Sequence, residues 1–206
     1  MSHSPSLHVG AVLFEGFELL DFYGPLEMFG LLKEEAKITV VAETAGPVKS
    51  SGGPSGLAEM AMADAAGFDV LLIPGGIGTR REMNRPPFLA ELKRLAEGSR
   101  LVATVCTGNL LLGKTGLLDG RKATTNKRAF QFVKGAVPKV DWVAQARWME
   151  DGKYFTSSGI SAGVDMALAV IAKHFGREKA VDIANRAEYE WHEDSSWDPF
   201  AAALSS

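Results

Sequence analysis

The sequence feature that most restricts the fold of this chain is a short apolar segment that leads through a single cysteine into a leucine-rich helical pattern. Residues 101–105 are apolar except for Thr104 and mostly β-branched, which is typical of a strand buried on both faces of a parallel sheet. Cys106 follows directly, and the leucine-rich pattern comes next. The segment therefore predicts a strand, a turn at Cys106 and a helix. In an open α/β sheet such a turn lies at the carboxyl edge, where ligands bind.

Apolar segments alternate with helical patterns along most of the chain. Strands are predicted at residues 7–14, 38–42, 69–73 and 101–105, with a shorter strand at 122–125 and a hairpin of 142–149 and 154–157 around Asp151-Gly152. Helices are predicted at residues 26–35 with Pro25 in the first turn, at 87–97, at 129–133, from Ser161 as N-cap to about 176, and at 177–190. The alternation predicts an α/β fold with a doubly wound, mostly parallel sheet and helices on both faces.

The length of 206 residues suits one domain, which we expect to span residues 1–206. Residues 46–56 contain several Gly, Pro and Ser residues and are expected to form an irregular crossing within it. Residues 1–6 are polar and are expected to be loose. Residues 191–206 form a C-terminal tail whose aromatic side chains are expected to dock on the body or on a second subunit.

The composition excludes several classes of function. With 22 basic and 25 acidic residues there is no basic surplus for phosphate binding, so nucleic acid is not an expected partner. No apolar segment approaches the roughly 20 residues of a membrane span. The single cysteine cannot form an internal disulfide, and no signal-peptide pattern opens the chain, so we expect a cytoplasmic protein. The four histidines lack metal-ligand spacing, and no metal site is predicted.

Candidate site residues follow three of the predicted strands. Asp21 comes after the first strand, Gly75-Gly76 after the strand at 69–73, and Cys106-Thr107 after the strand at 101–105. Because parallel strands end at the same edge of a sheet, we expect these residues to converge. The glycines allow backbone N–H groups to approach a ligand, and the N–H groups of Gly76 and Thr107 are candidates to hold a developing negative charge.

The chemistry predicted for this site depends on ionisation of the Cys106 thiol. A free cysteine with a pKa of about 8.5 is only a few per cent thiolate at neutral pH, and a helix start typically supplies only about 0.3–1 kcal/mol of preference for the anion. If Asp21 is protonated, it can donate a hydrogen bond to the thiolate and later transfer that proton. The alternative interpretations are that Cys106 is a small core residue, that Asp21 caps a helix or is a solvated loop charge, and that Thr107 bonds its own backbone.

Several motifs resemble the ThiJ/PfpI superfamily, which has the class I glutamine amidotransferase-like fold. They are Pro74-Gly75-Gly76, Val105-Cys106-Thr107-Gly108 and residues 158–163, Ser-Gly-Ile-Ser-Ala-Gly. Residues 20–25, Leu-Asp-Phe-Tyr-Gly-Pro, residues 117–125, Leu-Leu-Asp-Gly-Arg-Lys-Ala-Thr-Thr, and Gly163-Val164-Asp165 are similar to the isocyanide hydratase subgroup. The resemblance runs through almost the whole chain and implies a flavodoxin-like homodimer.

The resemblance also implies a reaction that needs no cofactor. Cys106 attacks the carbon of an isocyanide, a small electrophilic substrate, Asp21 handles the proton, and water releases an N-substituted formamide. By the same resemblance Ile160 is expected to line the substrate pocket, with a position in the core as the alternative. Protease-like relatives carry histidine at the position of Thr107, which disfavours peptidase activity here. Hydratase-like relatives commonly have His-Trp at the position of Asn126-Lys127.

Two other functions fit the same residues. One is a non-enzymatic protein that senses a small ligand or a redox change through oxidation of Cys106. The other is a glyoxalase-type activity, because related members of the superfamily carry glutamate at the position of Asp21. Formamide production from an isocyanide distinguishes the hydratase from both.

Overall fold

A seven-stranded sheet forms the centre of the computed structural model, which describes residues 7–204. The N-terminal residues 1–6, expected to be loose, lie outside the described residues, as do 205 and 206. The strands are β1 (Leu7–Val12), β2 (Ala36–Ala42), β3 (Gly46–Lys49), β4 (Ser55–Ala58), β5 (Met60–Ala61), β6 (Val70–Ile73), β7 (Leu101–Val105), β8 (Lys122–Ala123), β9 (Asp141–Trp142), β10 (Trp148–Asp151) and β11 (Tyr154–Ser157).

The helices lie between and after these strands. They are α1 (Leu19–Gly30), α2 (Thr79–Glu82), α3 (Pro86–Gly98), α4 (Gly108–Lys114), α5 (Phe130–Ala136), α6 (Ala162–Phe175) and α7 (Arg177–Arg186). Short 3-10 helices occupy Lys33–Glu35, Met62–Asp64, Lys127–Ala129 and Pro199–Leu204. Within residues 7–204, no helix combines the length and apolar character needed to cross a bilayer.

The order of strands in the central sheet is β10-β11-β7-β6-β1-β2-β5. Every neighbouring pair is parallel except the β10-β11 hairpin, which confirms the predicted doubly wound α/β fold. From β1 the chain builds outward through β2 and β5, and then returns to place β6 on the other side of β1. The order of strands therefore reverses between β1 and β6. A reversal of this kind opens a crevice at the carboxyl ends of the two strands.

The core surrounds the middle strands of this sheet. All residues of β6 and β7 are buried, as expected for strands covered by helices on both faces. Helix α6 packs against α1, α7, β7 and β11. The core therefore lies directly beneath the edge at which β1, β6 and β7 end.

The first helix begins earlier than predicted. It starts at Leu19, so Asp21 lies in its first turn and not before it, and Pro25 is inside the helix. Proline in a helix interior removes one backbone hydrogen bond. Packing offsets this loss, because Pro25 is buried and α1 approaches α6 closely: a Cβ on Gly24 would lie 3.0 Å from Cγ2 of Val164. Tertiary contacts thus extend the helix through a residue that locally predicts its start.

Other local predictions also differ from the structure, beginning with the end of the first helix, which lies at Gly30 and not at residue 35. Residues 46–56 are not irregular, because β3 and β4 pair as an antiparallel hairpin. Ser161 directly precedes α6, but its backbone is already helical, and its side chain does not cap the helix. The last α-helix ends at Arg186 and not at residue 190. The hairpin around Asp151-Gly152 is confirmed, with Gly152 at φ +63°, but its first strand is Trp148–Asp151 and not residues 142–149.

Candidate active site

Cys106 lies in the turn between β7 and α4 and has a left-handed backbone conformation, with φ +56°. This conformation is costly for a residue other than glycine, by about 1–3 kcal/mol, and such strain persists only when the surroundings enforce it. Here the Cys106 carbonyl accepts a hydrogen bond of 2.7 Å from Nδ2 of Asn109 and another of 2.7 Å from the hydroxyl of Thr125. Its N–H donates to the carbonyls of Ser157 and Ser158, each at 3.2 Å. The turn is therefore held from three neighbouring segments.

Asp21 reaches the same turn from the first turn of α1. Its side chain is fully buried, and its Oδ2 accepts a hydrogen bond of 3.0 Å from the N–H of Gly75. Its Oδ1 has no hydrogen-bond partner of ordinary geometry within the described chain. A Cβ on Gly75 would lie 2.6 Å from the nitrogen of Thr107 and 2.7 Å from Asp21 Oδ2. Only glycine at position 75 leaves room for both Asp21 and Thr107 to pack against its backbone.

Thr107 connects the cysteine turn to the glycines that follow β6. Its hydroxyl oxygen accepts the N–H of Gly76 at 3.1 Å and lies 3.2 Å from the hydroxyl of Thr79. The N–H of Gly76, expected to hold developing charge, is thus engaged with Thr107. The N–H and hydroxyl of Thr107 both face the Cys106 thiol, where each lowers its pKa. Of the two predicted N–H donors, only that of Thr107 is directed at the sulfur.

Burial dominates the protonation of the Cys106 and Asp21 pair. It raises the pKa of the Cys106 thiol well above its usual value, and the neighbouring Asp21 charge raises it further. Burial also raises the pKa of Asp21 to about 7, against the lowering effect of hydrogen bonds from Gly75 and Cys106. Sequence reasoning offers a thiolate beside a protonated Asp21, whereas in this arrangement the sulfur keeps its proton and the Asp21 carboxyl is partly protonated near neutral pH. The two groups share at least one proton at neutral pH.

The thiol reaches solvent through a small depression. Cys106 is only 7% exposed, yet it lines a cavity of about 190 Å³ together with Thr107, Gly76 and Ile160. Glu18, Arg80, Asn126, Arg128 and Ala129 complete the wall. The structure therefore brings all the predicted site residues together, with Asp21 and Gly75 beneath the cavity and Ile160 at its side.

The donor atoms of the site suit proton transfer and covalent chemistry better than metal binding. Among residues 7–204, no three His, Cys, Asp or Glu side chains form a group that could hold a metal ion. Burial lowers the pKa of His174, which packs edge-on against Phe175 at the end of α6. The Cys106 thiol in the cavity wall and the buried Asp21 carboxyl, which hydrogen-bonds with it, are the groups suited to covalent chemistry and proton transfer.

The comparison with known proteins settles the family of this fold. Residues 8–173 match the DJ-1/PfpI family. The chain belongs to the DJ-1/PfpI family. This confirms the resemblance to the ThiJ/PfpI superfamily, and it agrees with a solved structure of a THiJ/PfpI family protein from Pseudomonas syringae. That structure superposes with a TM-score of 0.83 and 28% identity, covering 92% of this chain and 77% of its own.

Relatives within the DJ-1/PfpI family differ in function. The isonitrile hydratase of Pseudomonas putida is 33% identical over 186 residues, which are 89% of this chain and 79% of the relative. The HTH-type transcriptional regulator CdhR of Pseudomonas aeruginosa is 27% identical over 179 residues, which are 85% of this chain and 53% of the regulator. Membership of the DJ-1/PfpI family therefore determines the fold but does not by itself assign a reaction.

Sequence reasoning missed the residues that hold the cysteine turn of this DJ-1/PfpI chain. Asn109 and Thr125 donate to the Cys106 carbonyl, and Glu18 donates its N–H to Gly75 O at 2.9 Å. One signal was present: Asn109 is a polar residue at the start of an otherwise apolar, leucine-rich helix. Thr125 and Glu18 carry no such local signal, because their partners are distant in the sequence.

Proposed function

We propose that this protein is a cysteine-dependent hydratase that adds water to an isonitrile (isocyanide) and yields an N-substituted formamide. The observation that carries the proposal is the pairing of Cys106, in a left-handed turn beside a cavity, with the buried carboxyl of Asp21, whose pKa is raised to about 7. A general acid or base works best when its pKa lies near the operating pH. The similarity to an isonitrile hydratase over most of the chain supports an isonitrile as the substrate class.

In the first step, Cys106 Sγ forms a bond to the isonitrile carbon. The thiol proton passes to the Asp21 carboxylate, and from Asp21 to the same carbon, giving a thioimidate in which a CH group joins sulfur to nitrogen. Asp21 Oδ1 is the oxygen free to carry this proton, because Oδ2 is occupied by Gly75. This route does not require the thiol to ionise before the substrate binds.

In the second step, water adds to the thioimidate carbon and a proton reaches the nitrogen. The carbon–sulfur bond then breaks, the sulfur recovers a proton, and the formamide leaves. The N–H and hydroxyl of Thr107 face the sulfur and favour negative charge on it as the bond breaks. Gly75 positions Asp21, while Gly76 and Ile160 bound the space in which the substrate sits. We further propose that the protein acts as a homodimer without a cofactor.

The test is formamide production from cyclohexyl isonitrile, followed by liquid chromatography. Wild type is expected to turn over, Cys106→Ala to lose activity by at least about 1,000-fold, and Asp21→Asn by about 100- to 10,000-fold, the range typical for loss of a general acid or base. Asp119→Asn removes an exposed carboxylate beside Lys139 and serves as the matched control with unchanged rate.

Two results would contradict the proposal. Turnover that survives in Cys106→Ala would show that Cys106 is not the nucleophile. If wild type turned over no isonitrile, whatever its size, the proposed substrate class would be wrong. In the second case, lactate production from methylglyoxal would indicate a glyoxalase-type activity. Oxidation of Cys106 by dilute peroxide, detected by mass spectrometry, would instead indicate a sensor.

A further inference from the structure

A second and larger groove adjoins the cavity that contains Cys106. It has a volume of about 570 Å³ and shares Asn126, Arg128 and Ile160 with the cavity wall. The large apolar side chains exposed in this groove are those of Leu20, Ile160 and Phe200. The two spaces therefore lie side by side, and the outer one is mainly apolar.

The outer wall of the groove comes from the C-terminal segment. Phe200 lies in the 3-10 helix Pro199–Leu204, which packs against the 3-10 helix Lys127–Ala129. Asp198, just before this helix, is fully buried. Its Oδ1 accepts the N–H of Phe200 at 3.0 Å, and its carbonyl accepts the N–H of Ala201 at 3.0 Å. Asp198 thus holds the backbone at Phe200 and Ala201 and, through it, the position of the Phe200 ring.

A buried lysine holds Asp198 in turn. Lys127 Nζ lies 3.6 Å from Asp198 Oδ2, and their side chains are 3% and 0% exposed. The same Nζ donates hydrogen bonds to the hydroxyl of Thr124 at 2.8 Å and to the carbonyl of Ala146 at 2.6 Å. Removing two charges from water is expensive, so such a pair fixes geometry more clearly than it adds stability. Here it fixes the C-terminal segment against the body of the protein.

The linear shape of the proposed substrate directs its N-substituent from the cavity toward the groove. The carbon, nitrogen and first substituent atom of an isonitrile are collinear. With its carbon against Cys106 in the smaller cavity, the molecule must therefore extend outward and place its N-substituent beyond the cavity. The adjoining space is the groove lined by Ile160 and Phe200.

We propose that Phe200, held in place by the Lys127–Asp198 pair, forms with Ile160 and Leu20 the subsite for the N-substituent of the substrate. The subsite selects large apolar substituents, branched, cyclic or aromatic, over small ones. This inference rests on the proposed hydratase function and adds the substrate class. The C-terminal segment is thus part of the binding site.

The first test compares kcat/KM for cyclohexyl and methyl isonitrile in wild type and Phe200→Ala. Phe200 is 61% exposed, so the substitution leaves the core intact. We expect about a 10-fold loss for the cyclohexyl substrate, mainly through KM, and less than about a 2-fold change for the methyl substrate. Leu57→Ala is the matched control: Leu57 is 67% exposed on β4, outside the groove, and both substrates should be unaffected.

The second test measures binding without turnover. The dissociation constants of N-cyclohexylformamide and N-methylformamide are determined by calorimetry in wild type and Phe200→Ala. If no isonitrile reacts but the cyclohexyl preference is present and is lost in the variant, the hydratase proposal fails and the apolar subsite stands. If isonitriles react but Phe200→Ala affects both substrates equally or neither, the subsite is wrong. A change of oligomeric state on sedimentation, with equal loss for both substrates, would assign the groove to a second copy of the chain and also overturn the subsite.

Discussion

For Cys106 and Asp21, the local sequence predicts where the side chain lies, but the folded surroundings decide whether it is protonated. The position of Cys106 follows from local pattern, since an apolar strand followed by a helix places the thiol at the sheet edge. Its protonation depends on the surroundings of the folded chain. The N–H of Thr107 at the helix start does lower the pKa of the thiol, but burial raises it by more. A sequence shows that a helix begins after Cys106 and does not show how much protein covers the sulfur.

The raised pKa of Asp21 predicts a pH dependence of stability. The carboxyl ionises near pH 3.8 when unfolded and near pH 7 when folded, so the folded state binds more protons between these values. Stability from this group is therefore present below about pH 4 and is lost as pH rises through about 7, by up to about 4 kcal/mol. Asp21→Asn removes the charge and keeps a side-chain oxygen as acceptor for Gly75, so its stability relative to wild type should increase with pH.

Urea denaturation at pH 5 and pH 8 measures this effect. Asp119→Asn is the control, because its exposed ion pair with Lys139 should contribute less than about 1 kcal/mol at either pH. If Asp21→Asn and wild type showed the same change in free energy of unfolding between the two pH values, the Asp21 carboxyl would not be a buried group of raised pKa.

At the level of elements, the strained turn between β7 and α4 is held by hydrogen bonds from outside the turn. Thr125→Val removes the hydroxyl that donates to the Cys106 carbonyl and keeps the side-chain volume. We expect a loss of about 1–2 kcal/mol in free energy of unfolding and a reduced kcat with little change in KM, because the sulfur is no longer held in place.

Thr115→Val provides the comparison for this variant. The Thr115 hydroxyl donates to the Leu112 carbonyl at 2.6 Å, at the far end of α4 from Cys106. The Thr115→Val variant should lower the free energy of unfolding without lowering kcat. If both valine variants reduced kcat equally, the effect would arise from general destabilisation and not from the turn.

The same level shows how far the sequence predicts this fold. Apolar strands β6 and β7 and the hairpin at Gly152 are predicted because their patterns are local. The start of α1 is missed, because packing of Gly24 and Pro25 against α6 overrides the local signal of proline. The β3-β4 hairpin is missed because glycine, proline and serine are common both in loops and in short strands joined by turns.

In the whole molecule, the candidate site lies where the strand order of the sheet reverses. Asp21 follows β1, Gly75 follows β6 and Cys106 follows β7, so three separate parts of the chain contribute to one crevice. The convergence is predictable, because parallel strands end at a common edge. The contribution of the C-terminal segment is not, because Lys127 and Asp198 are far apart in the sequence and a buried lysine has no local signature. The homodimer remains a prediction for sedimentation analysis.

A double-mutant cycle on Lys127 and Asp198 tests whether this pair joins the C-terminal segment to the body. Burial lowers the pKa of Lys127 to about 8, so Lys127 is mainly charged at pH 7. Lys127→Met leaves the carboxylate of Asp198 buried without its partner, which should lower the free energy of unfolding by about 3–5 kcal/mol. The double variant Lys127→Met/Asp198→Asn should lose less than the sum of the two single variants, with a coupling of about 0.5–3 kcal/mol in urea denaturation.

The exposed pair of Arg186 and Asp182 is the matched control for this cycle, with an expected coupling of about 0.3–0.5 kcal/mol. Limited proteolysis adds a readout of position, because an unpaired Asp198 should release the segment and expose it to cleavage in Lys127→Met before the core unfolds. Additive losses in the cycle, together with an unchanged cleavage rate, would mean that the segment stays in place without the ion pair. Phe200 would then owe its position to the packing of the two 3-10 helices alone.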